Sequence, residues 1–349
     1  MGKVKIIILY GLKFIGLFWL VRKMTKGKLR ILCYHGISCQ DEHQFLPVLF
    51  MPEATFAHRM ALLARLNYPV LSLDRAVAGL RAGNLPDNPV VITFDDGWRR
   101  TFSRAIPIVR GHGFPVSVYV TSYYVEKRLP VLNVLLSYIL WKSARTSLDL
   151  DRLGEEGLSG EARLDRSADR QAFCEQMLAH LEDRYPAMGR LGAFKKLCRL
   201  LEVDWNRIEQ HKMFRLATPE AIHDNAALDG VVMEMHTHRH TFPRDSLEAC
   251  WKEVGENKAL LMEWTGKKPV HFCYPSGLYD KKQIRWLKEM GIKSATTVRP
   301  GLNDRQTSPW ELGRFLDGEN VSDIEFEAEL CGISDYIRKL AGRKTGKAA

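Results

Sequence analysis

The sequence has no paired cysteines. Its seven (Cys33, Cys39, Cys174, Cys198, Cys250, Cys273, Cys331) are scattered with no CxxC spacing, which argues against a zinc knuckle or a thioredoxin-type site. Several sit in apolar runs, where a thiol behaves as a small buried hydrophobe, and a reducing compartment fits them best. The body of the chain also has no basic stripe. The net charge of +10 comes from the two ends: Lys3, Lys5, Lys13, Arg22, Lys23, Lys26, Lys28 and Arg30 precede the first carboxylate, Asp41, and Arg343, Lys344 and Lys347 follow Leu340. Without those residues the chain is close to neutral, so no phosphate-tracking groove is expected and nucleic acid is not an expected partner. No internal repeat or low-complexity tract occurs, and no histidine follows His271. What remains is the composition of a globular protein, 46% hydrophobic and 26% charged.

Residues Val4–Val21 form the one long apolar run. No small-residue cleavage site follows it at Trp19-Leu20-Val21-Arg22, and Lys13 interrupts it where a spanning helix needs about 20 apolar residues. On a helical wheel Lys5, Lys13, Gly16 and Lys23 fall on one narrow stripe of an otherwise apolar cylinder, which suits a helix lying in the headgroup region of a membrane. A helix packed on the protein's own core is the alternative. The basic residues that follow place the body on the cytoplasmic face of the inner membrane, as a peripheral or singly anchored protein.

Short apolar runs at Leu29–Tyr34, Val70–Leu73, Val90–Phe94 and Val116–Val120 read as strands, alternating with helices at Ala54–Leu66, Asp74–Ala82 and Arg100–His112. Residues 126–225 read as a helical insertion, with helices at Leu132–Lys142, Ala168–Arg184 and Leu191–Leu201. Strands resume at Gly230–Glu234, His271–Tyr274 and Ser294–Thr297, separated by helices Ser246–Thr265 and Lys281–Met290. The alternation predicts an α/β parallel sheet or barrel in two parts, 29–125 and 226–340, flanked by an N-terminal segment 1–28 and a basic tail 341–349.

Three motifs carry chemistry. Thr93-Phe94-Asp95-Asp96-Gly97 ends an apolar strand with two adjacent carboxylates, which a cation can neutralise in part while leaving one as a base. His236-Thr237-His238-Arg239-His240 follows another apolar run. One helical turn would aim His236 and His240 the same way, and with one carboxylate they make a His₂Asp set with open positions. Phe272-Cys273-Tyr274-Pro275-Ser276-Gly277 ends a strand in a turn that can present a backbone N–H to an oxyanion.

These motifs, in this order, resemble those of the polysaccharide deacetylases, carbohydrate esterase family 4. The resemblance covers residues 29–125 and 226–300, and Tyr34-His35 resembles the opening of one branch. It implies an α/β fold of distorted (β/α) barrel type with fewer than eight repeats. It also implies Asp96, His236 and His240 as ligands of a divalent metal, usually Zn²⁺, and Asp95 as general base. The backbone N–H of Ser276 is implied as oxyanion donor, with Tyr274, Pro275 and Gly277 against the substrate. A cation lowers its water's pKa toward about 7, the condition for attack on an acetamide carbonyl. The sequence departs from the family twice. Cys273 stands where the family often has an arginine that orients the base, and Arg314, in an apolar setting, is the expected substitute. The late histidine that supplies the general acid is missing. His35 is the candidate acid or substrate contact, an ordinary structural histidine is the alternative there, and His238 and His271 are weaker candidates.

The expected activity is N-deacetylation of an N-acetylhexosamine in a bacterial polysaccharide, glycan precursor or glycolipid. Leu129–Trp141, apolar nearly all round, is read as core or as a second surface against the membrane. Hydrolysis of another C–N bond, O-acetyl esterase activity and silent glycan binding are the alternatives.

Overall fold

The computed structural model describes residues 2–344, so most of the basic tail 341–349 lies outside the described residues. The strands, in chain order, are β1 (Arg30–Tyr34), β2 (Gly36–Ile37), β3 (Phe50–Met51), β4 (Val90–Phe94), β5 (Val116–Val120), β6 (Ser147–Asp149), β7 (Glu161–Arg163), β8 (Val231–Met235), β9 (His271–Cys273), β10 (Ser294–Thr296) and β11 (Phe315–Leu316). Seven of them form one parallel sheet in the order β10-β9-β8-β5-β4-β1-β11. The sheet curls into a half-barrel. Its open seam is bridged by Leu312, which pairs with Thr296 three residues before Phe315 pairs with Leu32.

Every residue of β1, β4 and β5 is buried, as expected when both faces of a parallel sheet are covered. Period-two alternation divides these residues between two cores. Leu32, Tyr34, Ile92 and Phe94 point outward into the large core shared with the outer helices. Ile31, Val91, Tyr119, Cys273 and Leu312 point inward, where Leu73, Ala76, Val77 and Leu80 of helix Leu73–Ala82 plug the barrel. Leu73 begins that helix because the Ser72 hydroxyl caps it by accepting from Arg75 N–H. The expected strand Val70–Leu73 is therefore reduced to a single bridge between Val70 and Val90. The expected helix Arg100–His112 opens as a π-helical turn, Thr101–Ala105, ahead of Pro107, which has no N–H to donate.

The segment 126–225 adds no strand to the main sheet. It holds helices Leu132–Lys142, Ser167–Arg184 and Leu191–Leu200, and an antiparallel hairpin, β6–β7, that the sequence reading missed. Helix Leu132–Lys142 buries Leu135, Leu136, Tyr138, Ile139 and Leu140. Its apolar surface is core, which removes it as a second membrane-facing element.

The N-terminal run is two helices, Gly2–Phe14 and Leu17–Met24, bent by 78° at Gly16. No single helix among the described residues is long and apolar enough to cross a membrane, although the bent pair passes by length and composition. Their inward face packs on helix Asp323–Cys331 through Leu9, Phe18, Val21, Ile324 and Ala328. Two lysines of the expected stripe, Lys5 and Lys13, pair with Glu325 and Glu327 on that neighbouring helix while staying exposed, and Lys23 lies over the Trp19 ring.

Candidate active site

The C-terminal ends of β1, β4, β8 and β9 meet at a cavity of about 470 Å³ lined by His35, Asp95, Asp96, His236, His240, Tyr274 and Ser276, among others. Strand ends of this polarity are where barrel folds place reacting groups. The sheet therefore gathers residues from 35 to 314 in one place.

Asp95 continues the inward register of β4 and is buried. Arg314, also buried, grips it with two parallel hydrogen bonds, Nη1 to Oδ1 and Nη2 to Oδ2, each 2.7 Å. The guanidinium is fixed in turn by Thr297 O (3.0 Å) and the Cys273 sulfur (3.0 Å). Both Cys33 and Cys273 direct thiols at Asp95 Oδ2, at 3.5 and 3.4 Å. Burial opposes ionisation of Asp95, but the Arg314 charge and hydrogen bonds outweigh it and hold the carboxyl far below the usual carboxylate range. Burial, joined by the neighbouring Asp95 charge, pushes the Cys33 thiol well up.

Asp96 turns the other way. It adopts a left-handed backbone (φ 68°), which a short polar side chain tolerates, and this swings its carboxylate into the cavity. The indole N–H of Trp98 donates to Oδ2 at 2.9 Å. Oδ1 faces His236 Nε2 at 3.5 Å and His240 Nε2 at 3.6 Å. His236 and His240 converge, with ring centroids 4.8 Å apart, but no helical turn brings them together. Left-handed residues Thr237 (φ 66°) and His240 (φ 57°) fold the segment back. His236 Nδ1 bonds the Cys273 carbonyl at 2.8 Å, so that nitrogen carries the proton and Nε2 presents a lone pair. The backbone N–H of His236 donates to Asn257, whose amide also ties Val120 O and Ser122 Oγ.

Three groupings of side chains here are close enough to share an ion: Asp96/His236/His240, Asp95/His236/Cys273 and Cys33/His35/Asp95. Only the first fits on chemical grounds. Asp95, which belongs to both of the others, is committed to Arg314, and the Cys33 thiol with its raised pKa is a poor ligand. By contrast, Asp96 Oδ1 and the two Nε2 atoms converge at spacings too long for good hydrogen bonds. Those spacings are close to the roughly 3.3–3.5 Å between neighbouring ligands of a tetrahedral ion bound at about 2.0–2.2 Å.

The remaining expected residues fall in different places. His35 lines the cavity with Nε2 3.9 Å from Asp95 Oδ2, and its Nδ1 is buried without a partner. Ser276 also lines it, in a left-handed conformation (φ 54°). Gly277 must be glycine, since a Cβ there would lie 2.3 Å from Val298. Tyr274 contributes a ring wall stacked on Tyr279 at 4.1 Å, while its hydroxyl donates to Trp310 O. Pro275 and Gly277 shape the turn and are not among the lining residues. His238 is buried against Ser122, and His271 lies at the opposite end of the barrel. The sequence reading missed Trp98, Asn257 and Cys33. Trp98, two residues after Asp96, was the only one with a local signal.

A curled parallel sheet with carboxylates and imidazoles at its strand ends has the architecture of a hydrolytic α/β enzyme. Residues 204–295 match the family model for polysaccharide deacetylase. No curated protein matches the chain in sequence. Similar solved structures include a Streptococcus pyogenes deacetylase, PplD, in complex with acetate, at 15% identity and TM-score 0.54, covering 88% of this chain and 99% of that one. IcaB from Ammonifex degensii shows 17% identity and TM-score 0.54, covering 87% and 97%. A de-N-acetylase from Aggregatibacter actinomycetemcomitans shows 13% identity and TM-score 0.55, covering 86% and 99%. Residues 204–295 thus carry the match to polysaccharide deacetylases, hydrolases acting on amide C–N bonds, and the solved structures share the fold around it.

Proposed function

We propose that this chain is a metal-dependent N-deacetylase that removes acetyl from an N-acetylhexosamine of a glycan, glycan precursor or glycolipid. The observation that carries the reading is the division of labour between two adjacent carboxylates. Asp96 converges with two imidazole lone pairs, while Asp95 is locked by Arg314 just outside them. Asp96, His236 and His240 would hold a divalent cation, Zn²⁺ by donor type, which supplies Lewis-acid polarisation and an acidified water. Asp95, held so far below the usual carboxylate range, needs such an acidic proton source to act as base. Arg314 fixes its orientation and keeps it ionised. The backbone N–H of Ser276 donates to the developing oxyanion. His35 faces the same space as proton donor to the leaving amine. The acetate in the S. pyogenes structure is the product expected of this chemistry. Acetate release from N-acetylhexosamine glycans by the wild type, abolished in Asp95→Asn, tests the reading. Deacetylation of esters alone would replace it with an esterase.

The same reading places the protein on a membrane surface, at the cytoplasmic leaflet. Support comes from the outward face of the two N-terminal helices, where Ile7, Ile8, Phe14, Ile15 and Trp19 are all more than half exposed, far more apolar surface than a soluble face carries. Lys23, exposed over the Trp19 ring, lies at its edge and suits an anionic headgroup, whereas Lys26 and Lys28 are engaged by Asp87 and Asp304. Liposome flotation of the full chain against a variant with Ile7, Ile8, Phe14 and Trp19 changed to serine decides it. Loss of partition is expected, and equal partition removes the membrane claim. Deleting residues 1–28 is a poorer test, because it would strip the cover from Ile324 and Ala328.

A further inference from the structure

The catalytic cavity does not end at the barrel. A second hollow of about 220 Å³ shares Tyr124, Asn133, Arg239 and Thr241 with it and continues against the 126–225 segment. That hollow in turn shares Asn133 and Leu178 with an open groove of about 710 Å³ between helices Leu132–Lys142 and Ser167–Arg184. Asn133, exposed on the second residue of its helix, borders all three. The three hollows thus lie side by side, from Asp96 onto the insertion, with Asn133 at their common border.

The far groove has the chemistry of a sugar-binding surface. Its floor is Trp141, 38% exposed on a helix whose other large side chains are mostly buried. The indole is held in place by Phe45 at 5.5 Å and Tyr138 at 5.7 Å between ring centroids. A rigid aromatic face beside polar groups such as Ser137 and Gln171 presents one apolar plane and several hydrogen-bonding partners at little entropic cost, which matches a pyranose ring. The charges across the two hollows balance: Asp165, Glu175 and Glu182 against Arg170, Arg190 and Arg239. An uncharged N-acetylated chain suits such a row of hollows better than an anionic polymer does.

We propose that the 126–225 insertion carries accessory subsites for the glycan, so that the substrate is an oligosaccharide running from the reacting acetamide past Asn133 to a sugar stacked on Trp141. This rests on the deacetylase reading of the cavity and adds the length of chain that is recognised. Binding held by remote units also favours catalysis at the reacting one.

The test uses calorimetry with β-linked N-acetylglucosamine oligomers of one to six units, in 1,4 and 1,6 linkages, on the full-length Asp95→Asn protein. The same titrations are run with Trp141→Ala or Gln171→Trp added. Gln171→Trp fills the groove from an exposed position without removing a core contact. Affinity is expected to rise about tenfold or more between dimer and hexamer, and to lose that rise in both double variants while dimer binding holds. Equal affinity for all lengths, an unchanged length dependence in both double variants, or no binding of any oligomer overturns the proposal. Acetate release by the wild type is followed in parallel. A length-dependent affinity without acetate release would sink the deacetylase reading and leave the cleft standing.

Discussion

The two ends of the barrel carry nearly the same ingredients and put them to different uses. At the C-terminal end a buried carboxylate, an arginine, thiols and imidazoles surround a cavity. At the lower end, where β9 and β10 begin, buried His271 and Ser294 form a second polar cluster with Glu234 of β8 and with Asp74. His271 and Cys273 are two residues apart on β9 and so share a face, yet one belongs to each cluster. The lower cluster closes on itself. Glu234 Oε2 accepts from the N–H groups of Val270 and His271 at 2.8 and 2.7 Å, and His271 bonds Ser294 Oγ at 2.7 Å and Asp74 at 3.1 Å. None of its members lines the catalytic cavity. The upper cluster leaves His35 Nδ1 unpartnered and three ligand atoms facing one another. Buried polar groups become a site where their hydrogen-bonding capacity is incomplete and a cavity reaches them.

That contrast can be broken or sharpened by mutation. The largest effect is expected from Asp95→Asn, which should lower kcat for acetate release by about a thousandfold or more and also lower Tm, because it leaves the Arg314 charge buried without its counter-ion. Arg314→Ala should damage both stability and rate. It leaves Asp95 buried without its counter-ion, costing on the order of 3–5 kcal/mol in denaturant unfolding, with a fall in kcat that Arg314→Lys only partly repairs because lysine cannot make the bidentate grip. His35→Ala should reduce kcat on amides by about a hundredfold or more and on O-acetyl esters by much less, since the ester leaving group needs less protonation. Equal loss on both would assign His35 a structural role.

At the lower end His271→Ala should cost about 1–3 kcal/mol of stability by orphaning its partners and leave kcat/KM within about twofold of wild type. A collapse of activity at unchanged stability would erase the distinction between the two ends. The smallest effect concerns pH. Burial pushes the Glu234 carboxyl up to about 7, against the lowering influence of His271. The folded chain therefore holds this proton more tightly than the unfolded chain does. The group's contribution to stability is most favourable below the unfolded value of 4.5, falls as pH rises from there to about 7, and is flat above. Glu234→Gln should remove that slope and leave the variant more stable than wild type by on the order of 1 kcal/mol at pH 8 in urea titrations.

Much of the upper cluster was legible from residue spacing because each motif sits at the end of a buried apolar strand. Val90–Phe94 and Val116–Val120 coincide with observed strands, and Asp95-Asp96 and His236–His240 follow directly from β4 and β8. The Arg314 contact was legible only as a charged residue in an apolar setting that needed a partner. Asn257 was not legible, since nothing local marks one amide on the long helix Leu247–Thr265 as reaching the ends of both β5 and β8. A helical wheel likewise shows that Lys5 and Lys13 share a stripe, but not that Glu325 and Glu327 stand beside them from 320 and 314 residues further along the chain. Val70–Leu73 failed because a capping serine overrode apolar content.

The central claim is that the two carboxylates are divided, one for a cation and one for a proton. Zinc K-edge absorption on the zinc-loaded full-length protein tests it most directly. The account expects one zinc per chain with nitrogen and oxygen neighbours only, at about 2.0–2.2 Å, and its loss in His240→Ala and Asp96→Asn but not in Cys273→Ser. A sulfur neighbour at about 2.3 Å would put Cys33 or Cys273 in the coordination shell and contradict the division.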